Sequence, residues 1–448
     1  MHKKVIRRMR LDPDSDLHHE GGKTVSNKML SLIRSLVAWL DEQEPEHAPF
    51  LIFAPTYRHL EQLYNTLVYV NGSGLELCVL HSAVDIVDCI RTMTSRKHMG
   101  RRRVLLASAI ADSSVTVPGV SCVIDLCRAL EVRWDVDSRS YAAKTVWCSK
   151  SIAEQRKGRT GRTCRGRVFR LVHQGYYIQN LLQWDVPQLT MSACHNEVLA
   201  MVCAHDKLSI DDPRKLFAKC LDPPTSEVVD DAIDFLVEID ACQKVKSVFD
   251  FMNRGAAEKI SPTDYGTLLS SLSMSVAEAR IVLEEGKLGL LHEILAFMAI
   301  YNHRPSPIVH IFGDAEKNQE ILQSFFDDVE PSSQPSVAIA NFSAYIYWDV
   351  HWNQQRNRQS VDMFRYVTHS EQFSNGNADL RSRDTWKWTG ETELEHIEWC
   401  RNNDVNPTSM RSVSDIIETT INVLFLSKHE PEWLRCSDPT PRWKRRSE

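Results

Sequence analysis

The sequence lacks any run of about 18 consecutive apolar residues, so no membrane-spanning helix is expected. The basic N-terminus, Met1-His2-Lys3-Lys4-Val5-Ile6-Arg7-Arg8, has no apolar core or cleavage site, and we expect no secretory signal peptide. An excess of positive charge is lacking too, because 59 acidic residues outnumber 53 basic ones. Binding to nucleic acid would therefore depend on local basic surface rather than on net charge.

Paired cysteines at metal-ligand spacing are also missing. The 12 cysteines include no CxxC pair and no zinc-type spacing with histidine. The closest group, Cys194, His195 and Cys203, lies on a helical apolar pattern and is better explained as core. We therefore expect no metal site and no zinc. Scattered cysteines favour a reducing compartment, the nucleus or the cytoplasm.

The most informative segment that is present is Gln155-Arg156-Lys157-Gly158-Arg159-Thr160-Gly161-Arg162. It places three arginines and two glycines within eight residues. The glycines interrupt any simple amphipathic helix, and Arg159 and Arg162 lie three apart, so their side chains can point the same way. Guanidinium groups match phosphate oxygens, and two of them suit the charge on a transferring phosphoryl group. An arginine-rich turn that binds nothing is the alternative.

The arrangement of apolar segments predicts more than one domain in a chain of 448 residues. From about residue 49 to 175, short apolar strands alternate with helices, which predicts a parallel sheet covered on both faces. A helical pattern over Asn27–Leu40 precedes it. After it the pattern is helical, most clearly over Thr225–Ile239.

Segments of this lobe follow the order found in the second RecA-like domain of DEAH/DExH-box RNA helicases. Gln155–Arg162 resembles the family's QRxGRxGR motif, with Thr160 where alanine is common. Val104–Val120 resembles the family's ILATNIAETSITIDGV segment. Shorter matches to the LVFLPG, LHS and VID segments are Leu51–Thr56, Leu80–Ser82 and Val123–Asp125. Each short match is weak alone, but five in the right order over about 125 residues indicate the family strongly.

The resemblance implies roles for individual residues. The catalytic group, which would act on the γ-phosphate of a nucleotide, is Gln155, Arg159 and Arg162. The residues implied in nucleotide binding are Asp112, Ser113, Asp125 and Gly158. The residues implied in contacts with RNA are Thr56, His81, Ser82, Ser108, Ser114 and Thr116. Ala109 stands where the family has asparagine, so one hydrogen-bonding side chain is absent and full catalytic competence is in question.

The resemblance continues beyond the lobe. Phe217–Pro224 resembles part of a winged-helix domain, Thr263–Ile300 resembles the start of a helical ratchet domain, and Pro307–Gln319 resembles relatives, chiefly from plants, that carry CCCH zinc fingers. The fold class implied is an α/β RecA-like parallel sheet lobe followed by an all-α winged-helix/ratchet region. The expected boundaries are 1–48 for a helical linker from a first RecA-like domain, 49–175 for the second RecA-like domain, 176–245 for the winged helix, 246–430 for the ratchet with a divergent insert, and 431–448 for a disordered tail.

The sequence shows no Walker A loop and no DExH box. Gly21-Gly22-Lys23-Thr24 ends like a Walker A loop, but Leu17 stands where the first glycine belongs and no apolar strand precedes it. Phosphoryl transfer also needs a phosphate cradle and Mg²⁺ ligands. We therefore expect ATP with Mg²⁺ to bind only together with a first RecA-like domain.

Three functions remain open. The first is the C-terminal half of an ATP-dependent DExH-box RNA helicase, which supplies the arginine finger and RNA contacts and is inactive alone. The second is a non-enzymatic RNA-binding or regulatory protein derived from a helicase, and the third is an interaction scaffold. The expected partner is RNA, bound mainly through its phosphate backbone. An accessory protein is a further possible partner, and no membrane binding is expected.

Overall fold

A computed structural model describes residues 18–19, 24–44, 48–68, 70, 75–84, 101–113, 117–162, 164–204, 212–245, 259–326, 335–352, 390–426 and 432–435. The chain divides into two compact units. The first comprises Met1–Ala193, Leu221–Thr225 and Ile311–Asp314, and the second comprises Cys194–Cys220, Ser226–His310 and Ala315–Glu448. Within the described ranges, no helix is long and apolar enough to cross a membrane.

The first unit is built on a five-stranded parallel sheet. Its strands, with two short pairs, are β1 (His18–His19), β2 (Thr24–Val25), β3 (Phe50–Phe53), β4 (Leu75–Leu80), β5 (Arg102–Ala107), β6 (Cys122–Asp125), β7 (Arg128–Asp135), β8 (Ser140–Trp147) and β9 (Arg167–Arg170). The order across the sheet is β4-β5-β3-β6-β9, and all neighbours in it are parallel. Every residue of β3, β5 and β6 is buried, which confirms the parallel sheet covered on both faces.

Within the described residues of this unit, five α-helices accompany the sheet. They are α1 (Asn27–Gln43), α2 (Tyr57–Leu67), α3 (Ile110–Ser113), α4 (Lys150–Lys157) and α5 (Gln174–Asn180). Helices α1, α2 and α4 each begin at a hydroxyl residue whose side chain accepts a hydrogen bond from a backbone N–H of the first turn: Ser26, Thr56 and Ser149. Of a helix expected over Val84–Met93, residues 85–93 lie outside the described part of the chain.

Helix α1 packs into the core of the first unit. Its six buried apolar side chains are Met29, Leu32, Ile33, Leu36, Val37 and Leu40. They share one cluster with Phe50 and Ile52 of β3. An ion pair between Arg102 of β5 and Asp41 of α1 lies beside this cluster. The helix is therefore packed against the sheet. The expected linker over residues 1–48 stays a prediction.

The strands β7 and β8 form an antiparallel hairpin, as the sequence pattern around Arg133 and Lys144 predicts. Their register runs from Arg128 opposite Trp147 to Asp135 opposite Ser140. At the turn, Ser138 Oγ donates to Asp135 Oδ2 at 2.6 Å. Most side chains of both strands are partly or fully exposed.

The second unit is mainly helical. Its elements are α6 (His195–Cys203), α7 (Pro213–Phe217), α8 (Ser226–Glu238), β10 (Cys242–Val245), β11 (Lys259–Pro262), α9 (Asp264–Ser271), α10 (Val276–Lys287), α11 (Leu291–Asn302), α12 (Ala315–Ser324), α13 (Val337–Trp352), α14 (Gly390–Asn402), α15 (Pro407–Leu426) and α16 (Glu432–Arg435). The antiparallel pair β10–β11 is the departure from an all-α pattern. Residues 353–389 and 436–448 lie outside the described part.

Candidate functional site

Most of the site residues that the sequence predicts follow the ends of parallel strands. Thr56 lies just after β3, His81 just after β4 and Ser108 just after β5, while Asp125 is the last residue of β6. The register aligns these ends, because Leu80 and Phe53 both pair with Ala107, and Phe53 pairs with Asp125. The carboxyl ends of parallel strands form the usual ligand-binding edge of an α/β sheet. The predicted residues therefore lie along one edge.

The predicted RNA-contact residues also have local structural roles at this edge. Thr56 Oγ1 lies 2.6 Å from His59 Nδ1 at the start of α2. His81 Nδ1 accepts a hydrogen bond from Ala83 N at 3.0 Å, and the ring of Tyr57 packs edge-on against His81. Ser108 is buried, and its backbone N donates to Leu80 O at 3.0 Å. RNA contact by these residues stays a prediction.

The structure describes only some of the other predicted residues at this edge. Ser82 is exposed and follows His81 directly. Ser114, Thr116 and the side chain of Ser113 lie outside the described residues. Their roles in binding RNA or nucleotide remain predictions.

The central contact of the site is made by Arg156 of α4. Its side chain is 1% exposed, and its Nε donates to Asp112 Oδ1 at 3.0 Å. Its Nη1 donates to Asp125 Oδ1 at 2.9 Å and to the backbone oxygen of Arg128 at 3.1 Å. One guanidinium thus joins α4 to α3, to the end of β6 and to the start of β7. We name Asp112, Asp125 and Arg156 the buried ionic cluster.

The family resemblance implies nucleotide binding for Asp112 and Asp125 and implies no role for Arg156. In the structure both carboxylates bond to Arg156. The signal that could have found this cluster is an arginine inside the motif together with two aspartates, one at the end of a buried apolar strand and one in the short helix after another such strand. A charge in such a place needs a charged partner. The part of Asp112 and Asp125 in binding nucleotide stays a prediction.

The electrostatics of the cluster follow from its burial. Desolvation raises the pKa of Asp112, and the nearby Arg156 partly opposes that shift. Desolvation also acts to lower the pKa of Arg156, but the carboxylates of Asp125 and Asp112 outweigh it, so this pKa is raised. Arg156 is therefore a fixed positive charge inside the lobe.

The predicted catalytic residues lie on α4 and the turn that follows it. Gln155 is exposed, and Gly158 ends the helix. Arg159 is half-buried, and its Nη2 donates to the backbone oxygen of Asp112. Arg162 is exposed, and its Nε donates to Gly158 O at 3.0 Å. Each of these two contacts joins a guanidinium to a backbone oxygen.

The turn between Arg159 and Arg162 has a defined backbone. Gly161 has a φ of 80°, a region that side chains with a Cβ rarely adopt. Thr160 Oγ1 donates to Val120 O at 2.5 Å. The threonine that replaces the family's common alanine therefore has a partner inside the lobe.

These observations define a class of protein. Residues 28–164 match the family model described as the helicase conserved C-terminal domain. This range includes α1, the first four strands of the sheet and the whole of Gln155–Arg162. The first unit is thus a RecA-like helicase C-terminal domain. Along most of its length the chain is similar to DExH-box RNA helicases, and residues 28–164 carry the helicase conserved C-terminal domain.

Two plant relatives are similar along most of the chain. The chain is 32% identical over 421 residues to the DExH-box ATP-dependent RNA helicase DExH8 of Arabidopsis thaliana, covering 93% of this chain and 38% of that protein. It is 33% identical over 415 residues to Zinc finger CCCH domain-containing protein 4 of Oryza sativa subsp. japonica, covering 91% and 38%. The chain thus spans 38% of the length of each of these relatives.

A solved structure is also similar. The crystal structure of the E. coli DExH-box NTPase HrpB has a TM-score of 0.48 and 19% identity, covering 61% of this chain and 31% of that chain. The resemblance to plant helicases of the CCCH zinc-finger type, stated from the sequence motifs, is confirmed by the curated relatives.

Proposed function

We propose that this chain acts as the C-terminal part of an ATP-dependent RNA helicase. In this proposal Arg159 and Arg162, with Gln155, contact the γ-phosphate of an ATP molecule held by a first RecA-like domain. The observation that carries the proposal is the buried ionic cluster. Arg156 fixes α4 to the end of β6 and to the start of β7. The residues after α4 therefore lie at the carboxyl edge of the sheet.

The donor set at this edge suits the phosphate half of a nucleotide site. An exposed amide from Gln155 and the guanidinium of Arg162 are hydrogen-bond donors for phosphate oxygens. Asp112 and Asp125 are bonded to Arg156, and the carboxylate of Glu154 is paired with Lys157 and Arg170. We therefore propose that this chain does not supply the Mg²⁺ ligands, and that it hydrolyses no ATP by itself.

Each group in this proposal has its own task. ATP with Mg²⁺, when bound, supplies the phosphoryl group and neutralises part of its charge. Arg159 and Arg162 offset the charge that develops on the γ-phosphate, and Gln155 contacts the same phosphate. Arg156 does not contact the nucleotide and keeps α4 in position.

We propose RNA as the partner of the same edge. Thr56, His81, Ser82 and Ser108 offer hydroxyl, imidazole and backbone N–H groups, which commonly bind phosphate oxygens. Domain roles are also part of the proposal, with residues 176–245 as a winged helix and 246–430 as a ratchet. The expected compartment is the nucleus or the cytoplasm, and an accessory protein would act on the assembled helicase.

The test uses the purified chain alone and the chain fused to the first RecA-like domain of a helicase relative. Alone it should release no phosphate from ATP above buffer, with or without RNA. In the fusion, RNA should stimulate hydrolysis, and Arg162→Ala should reduce the rate by about 10³-fold or more, the usual effect of losing an arginine finger. Arg165→Ala, an exposed arginine of the same turn, is the matched control and should leave the rate unchanged.

One observation favours a second function, that of a non-enzymatic RNA-binding or regulatory protein. Ala109 is exposed just after β5, where the family has asparagine, so that position offers no side-chain hydrogen bond. A fused chain that binds RNA in a salt-dependent way but shows no turnover would support a non-enzymatic RNA-binding or regulatory protein. A chain that binds no RNA even at low salt would support the interaction scaffold.

A further inference from the structure

Three buried side chains lie together at the base of the β7–β8 hairpin. Asp125 ends β6, Cys127 immediately precedes β7 and Cys148 immediately follows β8. One carboxylate oxygen and the two sulfur atoms all lie within 4.8 Å of one another. The three residues are 0%, 0% and 2% exposed. We name them the hairpin-base cluster.

The carboxylate of Asp125 has unused binding capacity. Its Oδ1 accepts hydrogen bonds from Arg156 Nη1 at 2.9 Å and from Cys127 N at 2.8 Å. Its Oδ2 is buried and has no hydrogen-bond partner. Leaving a buried acceptor unsatisfied destabilises the folded state, and more so when the group is charged. A cation bound at this oxygen would remove that cost.

The backbone brings the two cysteines together. Cys127 has a φ of 55°, a left-handed conformation that is unfavourable for a residue other than glycine. Cys148 N donates to Cys127 O at 2.9 Å, which continues the hairpin pairing by one step. The two thiols, 20 residues apart in the sequence, therefore face the same buried carboxylate.

We propose that Asp125, Cys127 and Cys148 bind one thiol-preferring metal ion, Zn²⁺, at the base of the hairpin. Two thiolates and one carboxylate are a ligand set that zinc accepts. The cluster holds these three ligands within the described residues, so a water molecule would be the fourth ligand of a tetrahedral ion. This proposal goes beyond the proposed helicase function. It also replaces the sequence-based expectation of no zinc.

The surrounding charges are compatible with the ion. A hydrogen bond with Cys148, burial and the neighbouring carboxylate of Asp125 raise the pKa of Cys127, so this thiol stays protonated until a metal ion displaces its proton. The thiols would lose two protons as one Zn²⁺ enters, so the net charge next to Arg156 stays the same. Arg156, bonded to the other oxygen of Asp125, would orient that ligand from behind.

The site would connect two parts of the lobe. The ion would hold both ends of the hairpin to the end of β6, through the same carboxylate that Arg156 bonds. Removing the ion should therefore loosen the base of the hairpin and, through Asp125, the attachment of α4.

The test is a titration of the full chain with Co²⁺ and then Zn²⁺, in a reductant that contains no thiol. The expected result is one ion per chain, with thiolate-to-cobalt charge-transfer absorption that Zn²⁺ abolishes, and a higher melting temperature with Zn²⁺. Cys127→Ser and Cys148→Ser should each lose the absorption and the thermal shift. Cys122→Ser, a buried cysteine of β6, is the matched control and should keep both.

X-ray absorption of the zinc-loaded wild-type chain does not depend on the folding of any variant. It should show two sulfur ligands and oxygen ligands. No stoichiometric binding by the wild type, a coordination shell without sulfur, or equal binding by the Cys127→Ser/Cys148→Ser double variant would overturn the proposal. A disulfide between Cys127 and Cys148 that forms under mild oxidation, in a chain that binds no metal when reduced, would overturn it as well.

Discussion

Arg156 Nη1 lies 2.9 Å from Asp125 Oδ1, and both side chains are 1% exposed. This contact joins the helix that carries the arginine motif to the inside of the parallel sheet. The motif therefore has two parts with different tasks. Arg156 anchors it from within, while Arg159 and Arg162 belong to the turn that follows.

The anchoring role of Arg156 predicts a large loss of stability in Arg156→Ala. The substitution leaves the carboxylates of Asp112 and Asp125 without their buried positive partner. Breaking a buried pair by removing one member costs about 3–5 kcal/mol. Urea unfolding of the wild type and the variant measures the difference.

The control for this substitution is Lys157→Ala on the same helix. Lys157 pairs with Glu154 at 2.8 Å, but both side chains are about half exposed, at 54% and 52%. An exposed pair contributes less than about 1 kcal/mol. Equal losses in the two variants would contradict the anchoring role.

The backbone of the arginine turn predicts a cost for Gly161→Ala. With a φ of 80° and no atom within 4 Å of the added Cβ, the substitution tests backbone strain alone. We expect about 1–2 kcal/mol of lost stability, the penalty of the left-handed region for a residue with a Cβ. Gly161→Asn should cost less, because asparagine adopts this region more readily. Denaturant midpoints that rank Asn below Ala would contradict the assigned conformation.

The hydroxyl of Thr160 predicts a smaller effect. Thr160→Ala introduces the residue that is common in the family and removes the hydrogen bond to Val120 O. A net loss of about 0.5–1.5 kcal/mol is expected from one intramolecular hydrogen bond. Thr190→Ala removes an exposed threonine bond to Pro187 O and should change the unfolding midpoint less. The prediction is wrong if the two alanine variants are equally stable.

The burial of His396 predicts that the stability of the second unit depends on pH. It is 0% exposed, its Nε2 accepts from Trp348 Nε1 at 2.8 Å, and its Nδ1 lies 2.9 Å from Arg411 Nη2. Burial lowers its pKa to about 4, Arg411 adds to the shift and Glu393 opposes it. An unfolded histidine titrates near pH 6.5.

A histidine whose pKa is lower in the folded state contributes stability above its unfolded pKa. That contribution is lost as the pH falls from about 6.5 to about 4, and it amounts to about 3 kcal/mol at roughly 1.4 kcal/mol per unit. Chemical unfolding across this range should show the decline. His396→Gln should flatten it, whereas His351→Gln, at an exposed site of α13, should leave it unchanged.

The sheet was predictable from the sequence because its strands are short apolar runs. Segments such as Phe50–Phe53 and Val104–Ala107 lack polar alternation, and a run of this kind must be buried on both faces. The order of strand ends then places Thr56, His81 and Ser108 along one edge. Their position could be inferred, since parallel strands end on the same side.

The buried ionic cluster could not be predicted in the same way. Asp112 and Asp125 lie 44 and 31 residues from Arg156, and only the crossover connections bring them together. The sequence shows that each charge lies near an apolar strand, but not which charges meet. Cys127 and Cys148 were missed for a related reason, because hairpin pairing rather than sequence spacing makes them neighbours.

The packing of α1 was only partly predictable. Its helical pattern shows which face is apolar, and that face is the one that is buried. The pattern does not say what the face packs against. The contact with Phe50 and Ile52 is a tertiary contact, which the helical pattern does not encode.

The position of β3 has a consequence for synthesis of the chain on the ribosome. This strand is the first of the five to emerge, yet its two neighbours, β5 and β6, are made later, and the outermost strand β9 is made last. Until Arg170 has left the exit tunnel, the nascent sheet keeps an unpaired apolar edge. Such an edge is prone to pair with other nascent chains, so the half-built sheet is the stage of synthesis most open to aggregation.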